Sequence, residues 1–238
     1  GGEKGGAARI AGLAALTIGA GLVSVVGKNL NIEPVLMQSA RITPKMRVGA
    51  VGMGLGELSE AQKNELFSEL KTKDALVIDA DLCYEPHTLE LLNNKNIVIT
   101  PHPKEFQSLL ANSGLGQFSV VEIQERRFEY LRLFCGAFPH AVTVLKGAYP
   151  LIGCEKQVFV NPLGTNALAK AGAGDVLSGL ITALTAQGYP PLEAAYTASL
   201  AHAEAAKVLP TADYGLTASA LADSLSSLCY STEISANR

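Results

Sequence analysis

The chain has no run of lysine or arginine, no CxxC pair and no Cys/His cluster at zinc spacing. Only 17 % of its 238 residues are charged and the formal net charge is −3, so there is no electrostatic footprint for nucleic acid or for an anionic membrane surface. Small molecules are the expected ligands. Cys83, Cys135, Cys154 and Cys229 stand far apart, which fits reduced, mostly buried thiols in a cytoplasmic protein better than a disulfide framework. No linker-like stretch divides the chain. There is also no P-loop of the GxxxxGKS/T kind, and the glycines of Val48 to Gly56 (VGAVGMGLG) are spaced GxGxG, not as the GxGxxG of a dinucleotide fold.

What the chain has is apolar residues, 48 % of the total, enough for one α/β domain over residues 1–238 with a substantial core. Ile10 to Gly27 is an uncharged run long enough to raise a signal peptide or a short membrane helix. Its Gly and Ala content and the break at Gly19-Ala-Gly21 instead predict a small-residue helix over Ala7 to Ile18, a turn, and a buried strand over Leu22 to Val26. A compact domain rarely opens this way, so the chain is expected to be truncated at its start. Strands are predicted at Val48, Ala75 to Asp79, Ile97 to Thr100 and Ala141 to Leu145, with a hairpin over Tyr149 to Gly153 and Gln157 to Val160. Helices are predicted over Ser59 to Leu70, Pro103 to Ala111, Ser119 to Cys135, Asp175 to Gln187, Leu192 to Val208 and Thr217 to Leu228. This alternation implies a mainly parallel sheet with helices on both faces.

The candidate functional residues fall at strand carboxyl ends or at one helix start, where open α/β sheets collect ligands. Asp79 and Asp81 end one strand and suit a hydroxyl-rich substrate or a hydrated metal; the plainer reading is a solvated loop acid and a turn cap. His102 lies between Pro101 and Pro103, held extended and suited to recognition. Lys146 and Gly147 end another strand and suit a diphosphate. Gly172, Ala173 and Gly174 precede a long apolar helix, so their backbone N–H groups and the helix dipole suit a phosphate. Asp175 beside that cradle is a candidate base; the plainer reading is a first-turn acid on the helix N-terminus. His202, in an alanine-rich helix, reads as structural.

Taken together and in order, GAARIAGLAAL (6–16), GAGLVSV (19–25), VGMGLG (51–56), VIDAD (77–81), ITPHPKEF (99–106), VLKG (144–147) and NALAKAGAGDVLSG (166–179) resemble the NAD(P)H-hydrate dehydratase family. The resemblance covers essentially the whole chain and implies a ribokinase-like three-layer α/β/α fold. It also implies an activity: ADP- or ATP-dependent dehydration of the S epimer of hydrated NADH or NADPH, a metabolite repair. By this resemblance Ala7, Gly54, His102 and Asp175 meet the hydrated nucleotide. Lys146, Gly147, Ala148, Tyr149, Pro150, Asn166, Gly172, Ala173 and Gly174 meet the phosphate donor, and Asp175 takes the proton of the C6 hydroxyl. Magnesium would ride on the phosphates with a water-mediated contact to Glu105. ADP is the favoured donor, a homo-oligomer (tetramer or larger) is expected, and an epimerase is expected as an N-terminal domain or a separate protein.

Three positions depart from the pattern. Ala173 replaces a small hydroxyl residue, Ala171 replaces a glycine, and Pro150 ends the donor loop, so weakened activity is expected. The family's basic opening segment is not found before Gly1. Two other readings use the same GAGD: a ribokinase-like kinase for a small alcohol or vitamin precursor, and a nucleotide-binding protein without turnover.

Overall fold

The computed structural model describes residues 5–27, 30–209 and 213–228. Helix α1 (Gly6–Thr17) leads into a short parallel pair, β1 (Ser24–Val26) and β2 (Met37–Ser39). The main sheet follows as β3 (Val48–Val51), β4 (Ala75–Ile78), β5 (Ile97–Ile99), β6 (Ala141–Leu145), β7 (Leu151–Cys154) and β8 (Gln157–Val160), neighbours in that order. The first four strands are parallel, and β7 and β8 turn back antiparallel.

Strand alternation sorts the sheet's side chains between two cores. Leu76 and Ile78 of β4 point to one side, where they meet Phe67 and Leu70 of α2 (Glu60–Leu70), Leu91 of α3 (Thr88–Leu91) and Phe106, Leu109 and Leu110 of α4 (Pro103–Asn112). Ile123 of α5 (Val120–Glu125) and Leu131 and Phe134 of α6 (Arg127–Ala137) complete that core. Val77, Val98 and Val142 point to the other side, against Ala14 of α1, the apolar stripe of α7 (Ala173–Ala186), the alanines of α8 (Pro191–Val208) and Leu221 of α9 (Ala218–Ser224). The result is the expected three-layer α/β/α architecture with a mainly parallel sheet.

On the second side the helices come close because their contact residues are small. A Cβ on Gly179 of α7 would lie 2.2 Å from the Ala11 carbonyl oxygen of α1. Ile10 approaches Gly172, Ala11 approaches Gly179, and the Ile18 carbonyl accepts from the Gln187 side chain, so the two helices run parallel and their N-termini share one end of the sheet. That is also the end where β3 to β6 finish.

Several boundaries differ from the sequence expectation. The apolar run 10–27 is a helix and a three-residue strand whose central Val25 alone is buried, while Leu22 is 84 % exposed. Among the described residues no helix is long and apolar enough to cross a membrane. Strand β2 has no periodic signal in its three residues and was not expected. The helix expected over Ser119 to Cys135 is two, because Arg126 adopts φ −122°, ψ 37° between α5 and α6. The last helix stops at Ser224 and tightens into a 3-10 turn over Leu225–Ser227, and β7 begins at Leu151 because the residues before it form a loop. Cys83, Cys135 and Cys154 are free thiols; Cys229 lies outside the described residues.

Candidate active site

The carboxyl end of β4 delivers Asp79, which is 2 % exposed. A buried carboxylate is tolerable only when its oxygens are occupied, and here they are. Its Oδ1 accepts from Lys146 Nζ at 2.7 Å and from the Ala80 amide at 2.9 Å, and its Oδ2 accepts from Ser178 Oγ at 2.7 Å. Asp79 is therefore no solvated loop acid. Lys146 leaves the end of β6, its amide bonded to the Pro101 carbonyl at 2.9 Å, and its ammonium also lies 3.7 Å from Glu105 Oε2. Burial pushes the Lys146 pKa down, but Asp79 and Glu105 outweigh it and hold the lysine above its ordinary value. The ammonium is a permanent charge.

His102 caps α4 in an arrangement that fixes its tautomer. Its Nδ1 accepts from the Lys104 and Glu105 amides at 3.1 and 3.2 Å, while Glu105 Oε2 accepts from the His102 amide at 2.7 Å, a reciprocal capping box. The proton of the neutral ring must then sit on Nε2, which lies 3.1 Å from Glu105 Oε1. Burial, then the Lys146 charge, depress the His102 pKa. Burial raises Glu105 to about 7, against the pull of Lys146.

The start of α7 closes the site. Gly172 takes the N-cap position with φ +87°, where a Cβ would also stand 2.6 Å from Ala218 Cβ. The helix consequently begins at Ala173, two residues before the expected start, and Asp175 becomes its third residue. Of the expected cradle from Gly172 to Gly174, the Ala173 amide is engaged, donating to the Lys170 carbonyl at 3.2 Å. The first-turn amides left without a backbone acceptor are those of Gly174 and Asp175. Lys146 Nζ stands 3.4 Å from where a Cβ of Gly174 would be. The Lys146 ammonium, held by Asp79, thus stands at the helix start beside these amides. Asp175 is raised to about 6 by burial, then by the nearby Asp79, with Lys146 opposing. A carboxyl titrating there is a usable base near neutrality.

The remaining expected residues are placed as follows. Ala7 lies one turn before Ala11, on the face of α1 that meets α7 and at the end nearest Gly172. Gly54, with φ +63°, is in the turn after β3, and that turn is tied to the next strand end by Asp81 Oδ2, which accepts from the Gly56 amide at 3.1 Å. Gly147, Ala148 and Tyr149 are exposed in the loop after Lys146, and Pro150 precedes β7. Asn166 is exposed in a 3-10 turn over Asn166–Leu168, with no hydrogen bond from its side chain to the others. His202 is buried, its Nε2 without a partner, and burial depresses it to about 4; it is neutral and structural. Ser178 and Thr100, whose hydroxyls are 3.4 Å apart beside Asp79, were missed by sequence reading. The usable signal was Ser178 in a mostly apolar helix, three residues after Asp175.

The sequence profile of the NAD(P)H-hydrate dehydratase family matches residues 1–228. The chain belongs to that family. A bifunctional NAD(P)H-hydrate repair enzyme of Helicobacter pylori is 40 % identical over 207 residues, covering 85 % of this chain and 43 % of the relative. An ADP-dependent (S)-NAD(P)H-hydrate dehydratase of Neisseria meningitidis is 35 % identical over 164 residues, covering 66 % of this chain and 53 % of the relative. Among solved structures, the ADP/ATP-dependent NAD(P)H-hydrate dehydratase from Bacillus subtilis, co-crystallised with ATP/Mg2+ and soaked with CoA, superposes with a TM-score of 0.77 at 25 % identity, covering 94 % of this chain and 86 % of that one. The fold of this chain is the ribokinase-like one. It spans about half the length of the curated relatives it matches.

Proposed function

We propose that this dehydratase-family chain restores NADH and NADPH from the S epimer of their hydrates at the expense of a nucleotide phosphate donor, with ADP favoured over ATP. The observation that carries the reading is Asp175 at the third position of α7, titrating near 6, beside the two free amides and the Lys146 ammonium. The terminal phosphate of the donor sits on the Gly174 and Asp175 amides, and the loop from Lys146 to Pro150 holds the rest, with Asn166, Gly172 and Ala173 lining the same region. Ala7, Gly54 and His102 hold the hydrated nicotinamide nucleotide.

Asp175 takes the proton of the C6 hydroxyl as that oxygen bonds to the terminal phosphorus, and AMP leaves. The ring nitrogen's electron pair then expels the C6 phosphate, and loss of a proton from C5 completes the double bond. The net change is hydrate plus ADP to reduced nicotinamide, AMP and phosphate. Positive charge fixed before the reaction stabilises the transferring phosphoryl group without reorganisation, and Lys146, locked by Asp79, meets that requirement. Magnesium bound to the diphosphate supplies further neutralisation. That ion would be carried by the phosphates, with Glu105 reached through water.

We further read residues 1–238 as a single catalytic domain acting in the cytoplasm as a homo-oligomer of four or more copies. An epimerase, fused or separate, would supply the S form. The test is recovery of reduced nicotinamide absorbance from the hydrate with ADP or ATP. A stable phosphate ester as product would instead mean a small-alcohol kinase, and donor binding without turnover a binding protein.

A further inference from the structure

Arg127 opens α6, four residues after the buried Ile123 and three and four before the buried Tyr130 and Leu131. It therefore lies on the inward side, and its guanidinium passes beneath the loop that follows β6. There Nη2 donates to the Leu145 carbonyl at 3.0 Å and to the Lys146 carbonyl at 3.3 Å, and Nη1 donates to the Tyr149 carbonyl at 3.1 Å. One side chain thus gathers both ends of the loop. The approach is so close that a Cβ on Gly147 would fall 2.6 Å from Nη2 and would push the guanidinium from this position.

Two features distinguish this from an ordinary surface arginine. Its Nε is buried with no hydrogen-bond partner, and among the described residues no carboxylate lies within ion-pair distance of it. All its bonds are to neutral carbonyls, so its positive charge is left uncompensated beside the loop. Burial lowers its pKa, yet an arginine stays charged at any working pH. The peptide geometry completes the argument. In a trans peptide the C=O and N–H point in opposite directions, so turning the Lys146 carbonyl toward Arg127 turns the Gly147 amide away from it, to the open side of the loop.

We propose that Arg127 is a positioning residue of the phosphate-donor site, holding the Lys146–Pro150 loop with its carbonyls turned inward so that the Gly147 amide and the Lys146 side chain face the diphosphate. The proposal rests on the donor-site reading above and adds the residue that shapes that site from behind. Arginine's planar fork is the group suited to bridging separated carbonyls; a lysine keeps the charge but not the fork.

The test is a steady-state comparison of wild type, Arg127→Ala and Arg127→Lys in the full chain, varying ADP and the hydrated NADH separately, with thermal unfolding of each. Arg127→Ala is expected to raise the KM for ADP by about tenfold to a hundredfold and that for the hydrate by less than about twofold, since the lost bonds are charge-assisted and act on one site. Arg127→Lys should fall between, and millimolar methylguanidinium should restore part of the ADP affinity of Arg127→Ala. A donor KM within about twofold of wild type, or equal rises in both KM values without rescue, overturns the positioning role. If Arg127→Ala does not fold, Arg127→Lys carries the same criterion. Failure of the donor-site reading shows separately: wild type itself would then be neither turned over nor thermally stabilised by ADP or ATP.

Discussion

The two faces of the central sheet are built on opposite plans. One is covered by α2 to α6 through large side chains, with Phe106 and Phe134 at 5.3 Å between ring centroids in an edge-on contact and Leu109, Leu110 and Leu131 fully buried. The other is covered by α1, α7, α8 and α9 without aromatic side chains in its buried core, through Val, Leu and Ile of α7 and the alanines of α1 and α8, and the backbones of α7 and α1 nearly touch at Gly179 and Ala11. The first face separates its layers and fills the space; the second brings a helix N-terminus up against the strand ends. The charged groups collect where this close-packed face ends. A thick aromatic layer there would hold the start of α7 away from Asp79 and Lys146.

The sharpest contrast is between chemistry and stability. Asp175→Asn is expected to lower the rate of dehydration by about a hundredfold to ten-thousandfold while leaving the thermal midpoint unchanged or higher, because it removes a carboxyl whose ionisation is disfavoured by burial. A folded variant with near wild-type turnover would remove Asp175 from the mechanism. On the aromatic face the opposite is expected: Phe106→Ala should cost roughly 3–5 kcal/mol in denaturant unfolding with KM values for both substrates unaltered in the folded fraction.

Gly179→Ala tests the small-residue face itself. Its new methyl must displace the Ala11 backbone, which predicts a loss of roughly 1–3 kcal/mol and, unlike Phe106→Ala, a rise in KM for the hydrate because α1 carries Ala7. If the stability falls while both KM values hold, the two faces are equivalent for function and the comparison fails.

The smallest effect is with pH. Burial raises Asp175 from 3.8 to about 6 and Glu105 from 4.5 to about 7, so between those values the folded chain binds more protons than the unfolded one. Stability from these groups is greatest below the unfolded values and is lost as pH rises through the folded ones. Thermal midpoints measured across that window should decline, and Glu105→Gln should flatten the upper part. The rate should move the other way, falling below about pH 6 as Asp175 takes up its proton.

Much of this was legible from periodicity. The buried strands at 75, 97 and 141 and the long helix after the GAGD show in runs of Val, Ile and Leu, and the strand-end rule put Asp79, His102, Lys146 and Asp175 at one edge. What could not be read are contacts set by tertiary packing. Asp79 looked equally like a loop acid because its partners are 67 and 99 residues away. The break at Arg126 has no glycine or proline to announce it, and the carbonyls that Arg127 reaches lie 18 to 22 residues away. The Ala173 amide is engaged because it donates back to the Lys170 carbonyl, a turn the residue types do not specify.

The account's central claim is that the α7 start, Lys146 and Asp175 make a phosphoryl-driven dehydration site. The most direct measurement is incubation of the chain with hydrated NADH, magnesium and ADP or ATP in parallel, following absorbance of the reduced nicotinamide and the nucleotide product together. Recovery of absorbance matched mole for mole by AMP from ADP is the predicted result; nucleotide consumption that leaves a stable phosphate ester and no recovered absorbance would contradict it.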